Sequence, residues 1–160
     1  MTADGDVPNI DQVRVRPGRS RDASSLRELA RDSYLQYVET EGSEPEPMKT
    51  DYLAAIERGP TWVAELRDEI AGFLVLESYP DYLLLDNIAV AKRLRGYGIG
   101  RLLMDWSESR ALELGLFEIR LYTGAVMTQN CHYYIRRGYT QLEEDGNVRT
   151  DEVLAKSIVA

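Results

Sequence analysis

The run Leu83-Leu84-Leu85-Asp86-Asn87-Ile88-Ala89-Val90, then Arg95-Gly96-Tyr97-Gly98-Ile99-Gly100, then Arg101-Leu102-Leu103-Met104-Asp105-Trp106 decides the architecture of this chain. The first part is apolar on both faces, as a central strand covered on both sides would be. The last part carries a helical pattern, with apolar residues at Ile99, Leu102, Leu103 and Trp106. Between them the glycines turn the chain from a strand into a helix N-terminus. Such a junction suits phosphate: glycine lets the backbone approach closely, free N–H groups point at the anion, and the helix dipole favours negative charge. Spacing then selects the ligand. G-x-x-x-x-G-K-[ST] is absent, which disfavours a nucleoside-triphosphate loop. G-x-G-x-x-G fails as well, because Leu103 stands where its last glycine belongs. What remains is Arg-x-x-Gly-x-Gly.

The bulk properties bound the class. A length of 160 residues favours one domain with a substantial core. Hydrophobic residues at 44% and charged residues at 29% are those of an ordinary soluble globular protein. No apolar run reaches the roughly 18–20 residues a membrane helix needs, and Met1 to Asp11 lacks the apolar core of a secretory signal. The single cysteine, Cys131, excludes an internal disulfide and a Cys-based zinc site. A cytoplasmic protein is the simplest expectation. A net charge of −8 argues against non-specific nucleic-acid binding and is compatible with a cationic partner.

Along the chain, residues 1–11 read as a loose tail and 12–160 as a single domain. Val13 to Arg16 alternates and stops at Pro17-Gly18, as a short strand does. Asp22 caps a helix that carries Leu26, Leu29, Ala30, Ser33, Tyr34 and Tyr37 at helical spacing. Glu39 to Pro47 reads as an acidic loop and Lys49 to Arg58 as a second helix. Thr61 to Leu66 and Ile70 to Tyr79 form a hairpin about Arg67-Asp68-Glu69, and Tyr82 to Val90 is the next strand. After the glycine-loop helix, which ends at Gly115, come a strand at Phe117 to Tyr122 and a helix from Thr128 to Arg137. A closing antiparallel pair follows, Tyr139 to Leu142 with Val153 to Ile158. The order is β-α-α-β-β-β-α-β-α-β-β. It predicts a mixed α/β fold: a mostly antiparallel sheet, helices on both faces, and one parallel β-α-β unit at the glycine loop.

Two blocks of this sequence together resemble the GNAT superfamily of acyl-CoA-dependent N-acetyltransferases. One is Leu85 through Gly100, with its Arg-x-x-Gly-x-Gly loop. The other is Met127-Thr128-Gln129-Asn130-Cys131-His132-Tyr133-Tyr134-Ile135-Arg136-Arg137-Gly138-Tyr139, with Asn near the start of a helix, Tyr four residues before Gly, and an aromatic after it. They stand in the family's order, about thirty residues apart. The order of elements is also the family's.

The resemblance implies acetyl-CoA as acyl donor, no metal, and direct attack by a primary amine in a ternary complex. Its pyrophosphate would lie on backbone N–H groups of Gly96, Tyr97, Gly98, Ile99, Gly100 and Arg101, flanked by the Arg95 and Arg101 side chains. Its pantetheine would pair with the backbone of Ile88, Ala89 and Val90, where the strand splays from its parallel neighbour. A strand N–H there would polarise the thioester carbonyl. Tyr134 would be the general acid for the leaving thiolate, and Asn130 would bond pantetheine or order the helix start. Each of these residues also has a plainer reading. The glycines are common in turns, Ile88 and Val90 are core residues, Arg95 and Arg101 are solvated helix-end side chains, and Asn130 is a helix cap. Tyr133 reads as an aromatic on the buried helix face, His132 as a surface or packing residue, and Cys131 as a small buried one.

The general base is open. Asp86 and Asn87 are the polar residues inside the central strand and, by simple alternation, point to opposite faces. Glu77 and Glu118 on neighbouring strands are further candidates, and water is another; Asp86 and Glu77 rank first. The acidic residues Glu39, Glu41, Glu44 and Glu46 either attract a cationic amine or form a solvated loop. The acceptor is a small-molecule or peptide amine, with neither nucleic acid nor membrane as partner. A homodimer is common in the family, and the chain itself does not show it. The rival readings are a non-catalytic acyl-CoA-binding regulatory module and a nucleotide- or phosphate-binding interaction domain that uses the glycine loop alone.

Overall fold

A computed structural model of the chain describes residues 7–35, 38, 42, 46–59, 61–124, 128–142 and 151–158. Its core is a seven-stranded sheet in the order β1-β2-β3-β4-β5-β7-β6. The strands are β1 (Arg14–Pro17), β2 (Thr61–Leu66), β3 (Glu69–Ser78), β4 (Leu83–Val90), β5 (Glu118–Gly124), β6 (Thr140–Leu142) and β7 (Asp151–Ser157). The helices are α1 (Ala23–Tyr34), α2 (Glu46–Lys49), α3 (Tyr52–Arg58), α4 (Ile99–Glu113) and α5 (Thr128–Arg136). All neighbouring strands are antiparallel except β4 and β5, which are joined through α4. The expected fold class therefore holds, down to its single parallel crossover.

Each face of the sheet has its own apolar layer. Leu26 and Ala30 of α1 and Tyr52, Ala55 and Ile56 of α3 pack on Val63, Phe73, Val75 and Ala89. On the opposite face Ile99, Leu103, Met104 and Ala111 of α4 pack on Leu74, Leu76, Leu83 and Leu85, with Tyr134 of α5 and Tyr139 beside them.

Local details depart from the expected elements. Glu46-Pro47, read as the end of a loop, opens the short helix α2, where a proline's missing N–H costs nothing. The single helix expected over Lys49–Arg58 is broken before Asp51, whose Oδ1 accepts the Ala54 N–H at 3.1 Å and caps α3. The β2–β3 turn is two residues long, Arg67 and Asp68, both at positive φ (51° and 65°), and Glu69 already belongs to β3. A 3₁₀ turn, Ile10–Gln12, lies partly within the expected 1–11 tail, and residues 1–6 are outside the described residues. β7 separates β5 from β6, and it pairs with both.

Asp22 stands before α1 yet gives that helix no side-chain cap. Its buried carboxylate instead accepts Arg16 Nη1 at 2.8 Å, Arg16 Nη2 at 3.1 Å and the Arg19 N–H at 2.7 Å. Arg16 also donates Nε to Glu65 at 2.7 Å, so one guanidinium ties β1, β2 and the start of α1 together. Burial alone would raise the Asp22 carboxyl. The hydrogen bonds from Arg16 and Arg19 and the charge of Arg16 outweigh it and hold the group below its ordinary value. A depressed folded-state pKa contributes stability above the unfolded value, about 4. That contribution disappears as pH falls through the folded value. Asp22→Asn is therefore expected to cost about 2 kcal/mol at pH 7 in urea unfolding, with the gap to wild type closing below about pH 4. A gap that stays constant as the solution is acidified would assign the effect to packing.

Candidate active site

The site begins where β4 and β5 part. Their ladder consists of three residue pairs, Leu83 with Ile119, Leu84 with Arg120 and Leu85 with Leu121. It stops there, although β4 runs on to Val90 and β5 to Gly124. The cause lies on the other edge of β4. Val75 of β3 pairs with Asn87 and Leu76 with Leu85, which leaves Asp86 as an extra residue, a β-bulge. The bulge resets the alternation of the strand. Leu83 and Leu85 share a cluster with Ile88 and Val90, while Ala89 joins the opposite layer. The expectation that Asp86 and Asn87 simply alternate across the sheet is corrected on this point, because alternation does not survive a bulge. Asn87 is buried in the α1–α3 layer and donates Nδ2 to Tyr52 Oη at 2.6 Å. Asp86 is exposed.

The wedge so formed is a cleft of about 400 Å³. Ile88, Ala89 and Val90 form one wall, Arg95, Gly96, Ile99 and Gly100 the mouth, Leu94 and Met104 further apolar lining, and Tyr133 and Tyr134 the α5 side. Ser33 and Tyr34 at the end of α1 complete it. The Tyr34 hydroxyl donates to the Ile88 carbonyl at 3.3 Å, and Arg95 Nη2 donates to Ser33 Oγ at 3.3 Å. Tyr97 and Gly98 on the loop and Arg101 in the first turn of α4 are exposed and do not line this cleft.

The glycines of the loop are there for different reasons. Gly96 (φ 86°) and Gly98 (φ 92°) adopt backbone conformations that L side chains rarely take. Gly98 occupies the cap position of α4, where it supplies no side-chain acceptor to the helix's first N–H groups. Gly100 has no such constraint. A Cβ there would meet nothing closer than Val90 Cγ2 at 3.7 Å, an ordinary contact. Neither backbone nor packing requires a glycine in this first turn of α4, where it costs up to about 1 kcal/mol relative to alanine. Its bareness keeps the mouth of the cleft open beside unpaired helix N–H groups.

Tyr134 is placed by the way α5 ends. Gly138 (φ 106°) closes the helix in a Schellman arrangement: its N–H bonds the Ile135 carbonyl at 3.0 Å, and the Tyr139 N–H bonds the Tyr134 carbonyl at 3.0 Å. The Tyr139 ring packs edge-on against Tyr134 with centroids 5.9 Å apart. The Tyr-x-x-x-Gly-aromatic spacing is thus the spacing of this helix end. Arg137, within the same turn, donates to Asp105 and Glu108 of α4, and Lys156 of β7 reaches Glu108 at 2.5 Å, which braces α5 against its neighbours. Burial raises the Tyr134 phenol well above its ordinary pKa, and the nearby phenols of Tyr34, Tyr133 and Tyr139 add to the shift. Tyr133, expected on the buried face, is 37% exposed at the cleft's edge, so that expectation is reversed. His132 is exposed.

Several sequence candidates stand apart from the cleft. Glu77 is exposed near the end of β3, and neither it nor Asp86 is among the lining residues. Glu118 accepts Arg120 Nε at 2.9 Å, and Arg120 lies 4.2 Å over the Tyr82 ring. Asn130 falls within α5, but its side chain and that of Cys131 are outside the described residues, as are Glu39, Glu41 and Glu44. Among the described residues no group of three or more His, Cys, Asp or Glu side chains is disposed to hold a metal, and no helix is long and apolar enough to cross a membrane. Sequence reasoning missed Ser33 and Tyr34 as cleft residues. Their signal was the arrival of two polar groups on the otherwise apolar stripe of α1.

The sequence profile described as acetyltransferase (GNAT) family matches residues 23–139. No curated protein sequence matches the chain. Among solved structures, the PaiA N-acetyltransferase from Thermoplasma acidophilum in complex with coenzyme A superposes with a TM-score of 0.76 at 20% identity, covering 91% of this chain and 98% of that one. Ard1 from Thermoplasma volcanium gives 0.72 at 17% identity, covering 93% and 99%. N-acetylglutamate synthase from Neisseria gonorrhoeae, complexed with coenzyme A and N-acetyl-glutamate, gives 0.71 at 16% identity, covering 92% of this chain and 35% of that one.

The two classes of glycine separate in a stability measurement. Gly138→Ala is expected to lower stability by about 1–2 kcal/mol, the cost of a Cβ in the left-handed region. Gly100→Ala should be neutral or stabilising by up to about 1 kcal/mol. A Gly100→Ala variant that melts well below wild type would give this glycine a folding role and remove the case that its space is kept for a ligand.

Proposed function

The chain belongs to the GNAT acetyltransferase family, and we propose that within it this protein is an N-acetyltransferase that moves the acetyl group of acetyl-CoA to a primary amine. The observation that carries the reading is the coincidence of three features at one cleft. These are the β4 edge without a β5 partner beyond Leu85, the bare Gly100 at the α4 N-terminus, and the half-buried Tyr134 on the α5 side. Acetyl-CoA, when bound, supplies a thioester whose acetyl group an amine attacks directly.

The residues of the cleft fit such a donor. The first N–H groups of α4 and the dipole of that helix suit a pyrophosphate, with Arg95 and Arg101 adding positive charge at the loop. Ile88 and Val90 offer backbone N–H and C=O groups on an edge without a β5 partner, as an extended amide-bearing arm requires, while the Ala89 carbonyl faces Gly72 of β3. Leu94, Ile99 and Met104 make the lining apolar where the arm would pass and keep water from it. A strand N–H on the same edge suits the role of polarising a thioester oxygen.

Tyr134 is the proposed acid. Its raised pKa keeps the hydroxyl protonated throughout the physiological range, so it always has a hydrogen to give to a developing thiolate. For the base, the exposure of both Asp86 and Glu77 favours solvent as the proton's destination. The acceptor is proposed as a small-molecule or peptide amine, and a cytoplasmic location and possible homodimer formation belong to the same reading.

Gly100→Leu is expected to weaken CoA binding at least about tenfold in calorimetric titration, because a side chain here fills the cradle. Undiminished affinity in a folded variant would overturn the pyrophosphate assignment. Tyr134→Phe should lower kcat by about a hundredfold with little change in CoA affinity. Because the Tyr134 pKa is raised, no alkaline fall in kcat from this group is expected up to about pH 10; full activity in the Phe variant removes it from the mechanism. Asp86→Asn and Glu77→Gln should leave the pH–rate profile in place, and a lost acidic limb in either variant would identify the base. An amine panel with acetyl-CoA, read by released thiol, identifies the acceptor.

A further inference from the structure

The last turn of α1 already holds two of the polar groups that the donor would use. Tyr34 gives its hydroxyl to the Ile88 carbonyl at 3.3 Å, on the β4 edge beyond the β5 ladder. Ser33, the adjacent residue, takes the Arg95 guanidinium at 3.3 Å at the mouth of the cleft. Both residues line the same cavity as Gly96, Gly100 and Tyr134. The two bonds therefore join one helix end to both halves of the site: Tyr34 to the strand wall, Ser33 to the basic side chain by the glycine loop.

We propose that Ser33 and Tyr34 are donor-site residues that compete with the donor: they occupy the pantetheine wall and the pyrophosphate arginine in the free protein and must yield both when it binds. This rests on the donor reading above and goes beyond it, since it assigns a function to α1. Physically, the carbonyl of Ile88 faces a cleft where a β5 partner is missing, and an unsatisfied buried carbonyl is costly. Tyr34 meets that cost in the free state. An incoming arm that offers an amide N–H replaces one hydrogen bond with another, so the net gain is smaller than for a bare strand edge. The same exchange holds for Arg95, which trades a neutral hydroxyl for an anion.

The two halves separate with fragments of the donor. Tyr34→Phe keeps the ring and removes only the hydroxyl, and Ser33→Ala is equally small. CoA should bind about threefold to tenfold more tightly to each variant, and more tightly still to the double variant, in calorimetric titration. 3′-Phosphoadenosine 5′-diphosphate, which carries the pyrophosphate without the arm, should gain affinity only in Ser33→Ala. Pantetheine, which carries the arm without a phosphate and is measured by competition, should gain only in Tyr34→Phe. CoA affinity that is unchanged or weaker in both variants overturns the competition, and so do fragment effects that ignore the division. Gly100→Leu is run alongside. If it loses CoA while the α1 variants match wild type, only the competition falls; if it binds CoA like wild type, the donor reading falls and takes the competition with it.

Discussion

The extra residue at Asp86 puts β4 out of step with β3, and the shape of the functional cleft follows from it. A parallel pair has evenly spaced, slanted hydrogen bonds, and it persists only while both strands keep their pleat in register. The bulge ends that register with Leu85 and Leu121, while on its other edge β5 stays paired with β7 along its whole length, Glu118 to Gly124. Beyond this point β4 has a full antiparallel partner on one edge and a cleft on the other. The same bulge moves Ile88 and Val90 to the α4 side and commits Asn87 to Tyr52 on the α1–α3 side. Bulges commonly re-aim side chains next to active sites. Here one also opens the sheet.

The rest of the structure holds the walls of that opening in place. Leu94 is buried and anchors the loop before the glycines, while Ile99, Leu103 and Met104 fasten α4 to the sheet. Arg16 pins the start of α1 through Asp22, which sets the direction from which Ser33 and Tyr34 arrive. Arg137 and Lys156 converge on Glu108 and join α5, α4 and β7. These ion pairs lie at the boundaries between elements, where a shift of one element would change the width of the cleft. The apolar layers supply the bulk of the attraction, and the charged contacts favour one arrangement of the elements around it.

What was readable in the sequence was what depends on neighbours along the chain. The glycine loop, the Gly138 helix stop and the β2–β3 hairpin are local, and each appears close to where it was expected. The Tyr134–Gly138 spacing was visible as a pattern, though its cause, a helix end, is a property of the backbone. The bulge at Asp86 was not readable, because it depends on the register between two strands and both Asp86 and Asn87 fit an unbroken strand. The role of α1 at the cleft was hidden for a similar reason: Ser33 and Tyr34 meet Arg95 and Ile88 across 62 and 54 residues of sequence. The break at Asp51 was available locally, since an aspartate three residues before a backbone N–H is a ready cap, but the helical pattern around it was continuous.

The helix end that carries Tyr134 has a consequence for how this chain can vary. Because the tyrosine is positioned by the turn that Gly138 closes, its hydroxyl is measured from the C-terminus of α5 and is indifferent to where the helix starts. Residues added or removed upstream change the length of the helix and leave its last turn where it was. A single residue added between Tyr134 and Gly138 rotates the tyrosine by about 100° around the helix axis and carries it out of the cleft. Drift in length is therefore tolerable on one side of Tyr134 and forbidden over the four positions on the other, an asymmetry that would appear across relatives as variable entry into this helix and an invariant exit from it.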